Sequence, residues 1–324
     1  MKSKITLSIL ACCLLCLVSS QKVFSQLKGD RLFGGVGLDA GTQAPAETFS
    51  LLVPLYFYDA GSLKNKNGDN INGSPGLNMF LTGIGANYVS KAKILGGNYG
   101  ASILLPFATN RIEGNNINSK SSFAFSDTYI QPFQLGWHGK AADFSFNYGL
   151  YIPTGKYSLG GDNNSGLGMW GNEFSAGTTL RLDPKGSVSF GTLASYEFHG
   201  DKKNSPDGIK VGDLLSLEGG LGKTWYTFNG TKIPSSIIKA GMIYYMQFKT
   251  SEDQLPLANT GATLFLPGKD HTYALGAEGN VLLTKSRMLL GLRWLDELGA
   301  VNRFQGNTFF VTIAHIFSTA PTKK

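Results

Sequence analysis

The stretch Asp143-Phe144-Ser145-Phe146-Asn147-Tyr148-Gly149-Leu150-Tyr151-Ile152 sets Phe144, Phe146, Tyr148, Leu150 and Ile152 on one parity. Asp143, Ser145, Asn147, Gly149 and Tyr151 fall on the other. A period of two is that of a pleated strand, whose successive side chains point to opposite faces. The alternation recurs on both sides. In 187–199, Val188, Phe190, Ala194, Tyr196 and Phe198 oppose Ser189, Gly191, Ser195 and Glu197. Further on, Met242, Tyr244, Met246 and Phe248 alternate with Lys239, Gly241, Gln247 and Lys249, and Leu290, Leu292 and Trp294 alternate with Gly291 and Arg293.

Composition agrees with many short strands. The 324 residues include 42 Gly, 21 Phe and 13 Tyr with 16% charged residues, which excludes disordered, collagen-like and coiled-coil chains. Past residue 20 no run of eighteen apolar residues occurs, and mean hydropathy is −0.04, so a helical membrane protein is excluded as well. Residues 1–25 read as a secretory signal peptide: Lys2 and Lys4, an apolar core from Ile5 to Val18, then Val23-Phe24-Ser25 for cleavage after Ser25. All three cysteines, Cys12, Cys13 and Cys16, lie within it, so the mature chain is expected to have no thiol chemistry. Without Lys2, Lys4 and Lys22 the chain carries 26 basic and 22 acidic residues, a balance that does not point to nucleic acid as a partner.

Two all-β architectures share this pattern, a soluble sandwich with its apolar face inside and a transmembrane barrel with that face against lipid. Connection lengths separate them, because bacterial barrels alternate short periplasmic turns with long extracellular loops. Twelve strands are predicted, at 47–58, 77–90, 94–110, 122–138, 142–158, 172–183, 187–199, 213–228, 236–250, 271–284, 287–297 and 306–318. The odd-to-even connections at 59–76, 111–121, 158–171, 200–212 and 251–270 are long. The even-to-odd ones at 91–93, 139–141, 184–186 and 285–286 are short, and 228–235 is intermediate. The reading is therefore an antiparallel barrel over 47–318 in a bacterial outer membrane, with both termini on the periplasmic side and a short tail at 319–324. Residues 26–46 are either a periplasmic segment or a lumen plug. Phe309, Val311, Ile313 and Phe317 share a face of the last strand, the kind of strand that barrels present to the barrel assembly machinery.

With lipid on the apolar face, the polar face points into the lumen, where a charge can be paired or hydrated. That face carries Asp143, Arg181, Glu197, Glu218, Lys239, Glu278 and Arg293, together with Lys249, as residues of a solute path or of a stiffening ion-pair network. Pro54, Pro106 and Pro153 fall in the first, third and fifth predicted strands, where each removes a ladder donor. They mark either bulges and strand ends or a lateral opening in the wall.

Cofactor and catalytic motifs are lacking. Gly35-Val36-Gly37-Leu38-Asp39-Ala40 matches a dinucleotide pattern with no βαβ unit around it, and 218–224 misses the first glycine of a phosphate loop. The Asn/Asp-rich 67–76 reads as turn chemistry rather than a calcium loop. His138, His199, His271 and His315 have no metal-ligand spacing. No enzyme activity, metal or cofactor is expected; a lipid hydrolase would need a serine beside one of these histidines.

The motif Gly149-Leu150-Tyr151-Ile152-Pro153-Thr154-Gly155-Lys156-Tyr157, followed by Gly160, Asn164, Gly166 and Trp170, resembles the signature of the phenol meta-pathway (MetA) family of outer-membrane barrels. Asp127 to Trp137 with Pro132, Tyr196-Glu197, Gly212-Asp213 and Tyr244-Tyr245-Met246-Gln247 with Asp253 extend the resemblance over roughly Asp127 to Asp253. It implies a passive channel for small hydrophobic or aromatic solutes, with Pro153, Thr154, Gly155, Lys156, Tyr157 and Trp170 as its motif positions and outer-membrane lipid around it. Solute is expected to enter between loops near Lys156, Trp170 and Lys202. A structural or adhesive barrel with a closed lumen and a general diffusion porin are the other readings.

Overall fold

The computed structural model describes residue 29 and residues 31–114, 117–205, 208–256, 263–266 and 269–318. Among the described residues sixteen strands follow one another. Twelve of them close an antiparallel barrel: β1 (Thr48–Leu63), β2 (Gly76–Ile94), β3 (Gly97–Gly114), β6 (Thr128–His138), β7 (Ala142–Ile152), β8 (Gly171–Arg181), β9 (Val188–His199), β10 (Leu214–Thr227), β11 (Ser236–Lys249), β14 (His271–Leu283), β15 (Met288–Val301) and β16 (Phe304–Ser318). Each pairs with its neighbours, and β1 with β16 from Thr48↔Ser318 to Leu63↔Phe304 closes the ring. The other four are small. β4 (Ile117–Lys120) and β5 (Ala124–Phe125) fold onto the upper part of β3, and β12 (Asp253–Pro256) pairs with β13 (Thr263–Leu266).

Burial separates barrel from sandwich. The apolar face stands exposed on the outside, with Met242 at 64% and Leu292 at 55%, while Glu197 and Glu218 on the polar face are 2% and 1% exposed. Only a surface bathed in hydrocarbon makes that inversion favourable. Phe57, Phe80 and Phe309 meet on this outer face, with ring centroids 4.9 and 6.2 Å from Phe57.

At the turn end of the barrel Leu95 and Gly96 both take positive φ, 50° and 81°, the geometry of a tight primed hairpin between β2 and β3. The long connections gather at the other end, called here the loop end, which is extracellular in barrels of this class. One connection departs from the alternation. β15 runs on past Asp296 through a bulge near Tyr273 and returns at the loop end in only two residues, Asn302 and Arg303, with Asn302 in the left-handed region at φ 54°. Several strand ends also differ from expectation: β1, β2 and β3 run on to Leu63, Ile94 and Gly114, and two strands fall short. β7 stops at Ile152 because Pro153 has no N–H and the chain then turns to meet Asp127; Pro153 therefore lies outside the strand. β6 begins at Thr128, and the segment before it pairs with β3 as β4 and β5.

The other two prolines lie within strands. The β1–β2 register is interrupted at Val53 and Pro54. Pro106 lies where β3 changes partner, from β6 at Leu104↔Tyr129 to β5 at Phe107↔Phe125, and its carbonyl accepts from Ser126 N at 2.8 Å. β5 thus continues the pairing along β3 beyond the end of β6.

Candidate functional site

The segment before β1 lies inside the lumen. Arg31 Nη1 reaches Glu173 Oε2 at 2.7 Å and its Nε reaches Glu218 Oε1 at 3.0 Å, while its backbone N–H donates to Glu197 Oε2 at 3.1 Å. Glu173, Glu197 and Glu218 come from the adjacent strands β8, β9 and β10, where strand alternation aims all three inward. Below them Val36 N donates to Glu218 Oε2 (2.9 Å) and Leu38 N to Glu278 Oε2 (2.8 Å). Arg293 pairs with Glu278 and donates to the Gly35 carbonyl at 2.7 Å; Lys239 holds the Leu38 carbonyl at 3.1 Å and the Asp39 carboxylate at 2.6 Å. Thr179 hydroxyl donates to the Ala40 carbonyl, and Thr42 to Asp143, which Arg181 also grips at 2.9 Å. Descending through these contacts, the chain runs from the loop end at Gly29 to the turn end at Thr48. The described chain thus enters the lumen at the loop end; the two chain ends, expected on the periplasmic side, lie outside the described residues.

Glycines make the close approach possible. At Gly41, φ is +83° and a Cβ would strike the Thr178 backbone; at Gly37 it would strike the Glu278 carboxylate. Phe33 stacks on Tyr245 at 5.3 Å, and the Arg303 guanidinium lies 4.4 Å from the Phe33 ring centre. Glu297 anchors this region by accepting from Tyr58 OH (2.9 Å), Tyr245 OH (2.6 Å) and Gly306 N (2.7 Å).

What the segment does not fill is a cavity of about 1850 Å³. One wall is apolar, made by Leu52 and Pro54 of β1, Leu77 and Leu81 of β2, and Leu104 and Pro106 of β3. The facing wall includes a run of polar, uncharged side chains, Gln131 and Gln134 of β6, Asn147 of β7 and Ser175 of β8. The long loops form its mouth, and residues 41–44 of the internal segment form its floor.

The motif loop after β7 builds that mouth. Asp127 accepts from Gly155 N at 2.9 Å and Leu167 N at 2.5 Å, Thr154 Oγ1 accepts from Thr128 N at 3.0 Å, and Lys156 N donates to Ser165 Oγ at 3.1 Å. Lys203 Nζ donates to the Pro153 carbonyl, and Lys202 Nζ lies 5.3 Å from the Tyr157 ring centre. Burial pushes the Asp127 carboxyl above its ordinary range, against its two backbone donors and Lys203, and burial likewise raises Tyr157.

All of Asp143, Arg181, Glu197, Glu218, Lys239, Glu278 and Arg293 face the lumen and engage the N-terminal segment or one another, and none lines the cavity. Lys249 sits at the loop end between Asp253 and Asp270, 2.9 Å from each. Of the motif positions Tyr157 lines the cavity; Pro153, Thr154, Gly155 and Lys156 shape the loop behind it, and Trp170 is exposed on the outside. Lys202 lines the cavity as well. Sequence reasoning missed Glu173, which lies eight residues from Arg181 on the same strand face, and Glu297, four residues from Arg293. Counting by twos from the named residues reaches both. Nothing comparable signalled Arg31.

The closed twelve-stranded barrel, with an apolar exterior and a polar, occupied lumen, is the architecture of outer-membrane β-barrels. Residues 60–313 match the family model described as "Putative MetA-pathway of phenol degradation", and the chain belongs to that family. A search of curated proteins finds no match. Among solved structures the chain is similar to the COG4313 outer membrane channel from Pseudomonas putida F1, at 13% identity and a TM-score of 0.69, covering 90% of this chain and 100% of that one. It also aligns with the beta domain of the Bordetella autotransporter BrkA, at 11% identity and a TM-score of 0.49, covering 84% of this chain and 100% of that one.

Proposed function

We propose that this chain is an outer-membrane channel for the passive uptake of small hydrophobic or aromatic solutes. The observation that carries the reading is the cavity, which opens among the long loops and offers a solute one apolar wall. A molecule without charge leaves water for Leu52, Leu77, Leu81 and Leu104 at a gain of about 25 cal/mol per Å² of apolar surface buried. Membership of a family named for phenol degradation and the likeness to a channel from Pseudomonas putida support it. Outer-membrane lipid covers the apolar exterior, and β16 is the strand that the assembly machinery would receive. The charged residues of the opposite wall position the N-terminal segment as a plug beside the solute path. Uptake of labelled toluene by porin-deficient cells expressing the chain is expected to exceed that of cells carrying empty vector; equal rates would sink the proposal.

A second reading, a structural or adhesive barrel with a closed lumen, is favoured by the tight ion pairing around the segment. It predicts no uptake and no conductance from the folded protein.

A further inference from the structure

The cavity floor carries an amide with no partner. Gln43 is 8% exposed and lines the cavity, yet neither its Oε1 nor its Nε2 has a hydrogen bond. Its place is made by two glycines on adjacent strands. A Cβ at Gly136 of β6 would strike Gln43 Oε1, and one at Gly100 of β3 would come within 2.9 Å of Nε2. Neither glycine has a positive φ; at Gly136 the three nearest atoms all belong to Gln43, so what needs glycine there is the room for that side chain, while at Gly100 the Tyr88 carbonyl is as close as the amide.

The amide N–H groups of Gln131, Gln134 and Asn147 all have partners. Gln134 Nε2 donates to Ser102 Oγ (2.9 Å) and Gln131 Oε1 (2.6 Å), Gln131 Nε2 donates to Tyr129 OH (2.7 Å), and Asn147 Nδ2 donates to Ser175 Oγ (3.1 Å). This chain of bonds descends β6 from the mouth and ends above Gln43. A buried amide left without partners is costly and is completed by an ordered water or by a ligand. Here the thing that fits is chemically narrow. A neutral hydroxyl both donates and accepts, so it can serve Nε2 and Oε1 together; a carboxylate only accepts, and a hydrocarbon does neither. Asn87, Ser102 and Gln134, which line the cavity with Gln43, are uncharged.

Resting on the channel reading, we propose that Gln43 is the specificity-determining residue of the path: its amide turns up into the cavity to take the hydroxyl of an uncharged solute. This selects hydroxylated apolar molecules over both bare hydrocarbons and carboxylates. With the amide in its sealed position the floor is shut, and a hydroxylated solute supplies the partners that the sealed position lacks.

The test is uptake of labelled benzyl alcohol, toluene and benzoate by porin-deficient cells, with the empty-vector rate subtracted. The unaltered chain is expected to favour benzyl alcohol over each of the others by roughly tenfold, the discrimination of a single neutral hydrogen bond. In Gln43→Leu the ratio of benzyl alcohol to toluene should fall towards one. Gly136→Ala, which displaces the amide without removing it, should lower the ratio in the same direction and carries the test if Gln43→Leu loses the heat-modifiable gel migration of a folded barrel. A ratio that stays at the parental value in the folded variants overturns the role of Gln43 and leaves the channel standing. No uptake of any solute by the unaltered chain overturns both.

Discussion

The two halves of the barrel's inner wall are built for opposite purposes. From β8 to β15 the inward positions are Glu173, Glu197, Glu218, Glu278 and Arg293, and every one of them holds the N-terminal segment. From β1 to β3 they include Leu52, Tyr56, Leu77, Leu81, Leu104 and Ala108, which line the cavity, with Leu32 of the segment packed against part of that wall. Carboxylates in a confined lumen demand partners, and Arg31 and the segment's own N–H groups supply them. Leucines make no such demand. The difference teaches that the cavity lies where it does because the segment is drawn to the other side.

Breaking the charged half should have the largest effect. Arg31→Glu would put a fourth carboxylate among Glu173, Glu197 and Glu218, and removing one partner of a buried ion pair already costs about 3–5 kcal/mol. The segment is expected to leave its seat, seen as a several-fold rise in single-channel conductance in a planar bilayer; parental conductance would mean that the carboxylates do not hold it.

An apolar-to-polar change in the other half tests the complement. Leu81→Asn places an amide in the leucine wall without touching the segment, and toluene uptake should fall several-fold while conductance stays at the parental level, with a burial loss of about 2 kcal/mol as the scale. An equal loss of both would show that the two halves act as one.

The smallest expected effect is at the mouth. Burial raises the Asp127 carboxyl above its unfolded value, so the stability it contributes is complete below the unfolded pKa and is lost as pH rises through the folded one. Hydrogen-exchange protection of Gly155 and Leu167, corrected for the intrinsic rate, should therefore decline just above the ordinary carboxylate range. Asp127→Asn, neutral throughout, should abolish that step.

The strands were legible because lipid outside and water or polar groups inside impose a strict two-residue period, plain in 142–152 and 236–249. It was least plain in β1, where Leu51, Leu52, Val53, Leu55, Tyr56 and Phe57 run together. A strand with hydrocarbon on one side and an apolar cavity on the other has no polar face to alternate, so its inner wall could not be told from its outer one. The lumen-facing charges were legible for the same reason the strands were, but their partners were not. Residues 31–46 have no period, and their position depends on contacts with strands far along the chain. The two-residue return at Asn302 was hidden by continued strand character past Asp296, where a loop of ordinary length was expected.

The placement of that segment also bears on assembly. Leu38 meets Glu278 across 240 positions of sequence and Gly35 meets Arg293 across 258, separations that make for slow ordering. Neither bond can form until β14 and β15 are in place. A segment synthesised before any of the strands is therefore among the last to be fixed, and a nascent barrel short of its final strands has its glutamates hydrated and its interior unfilled.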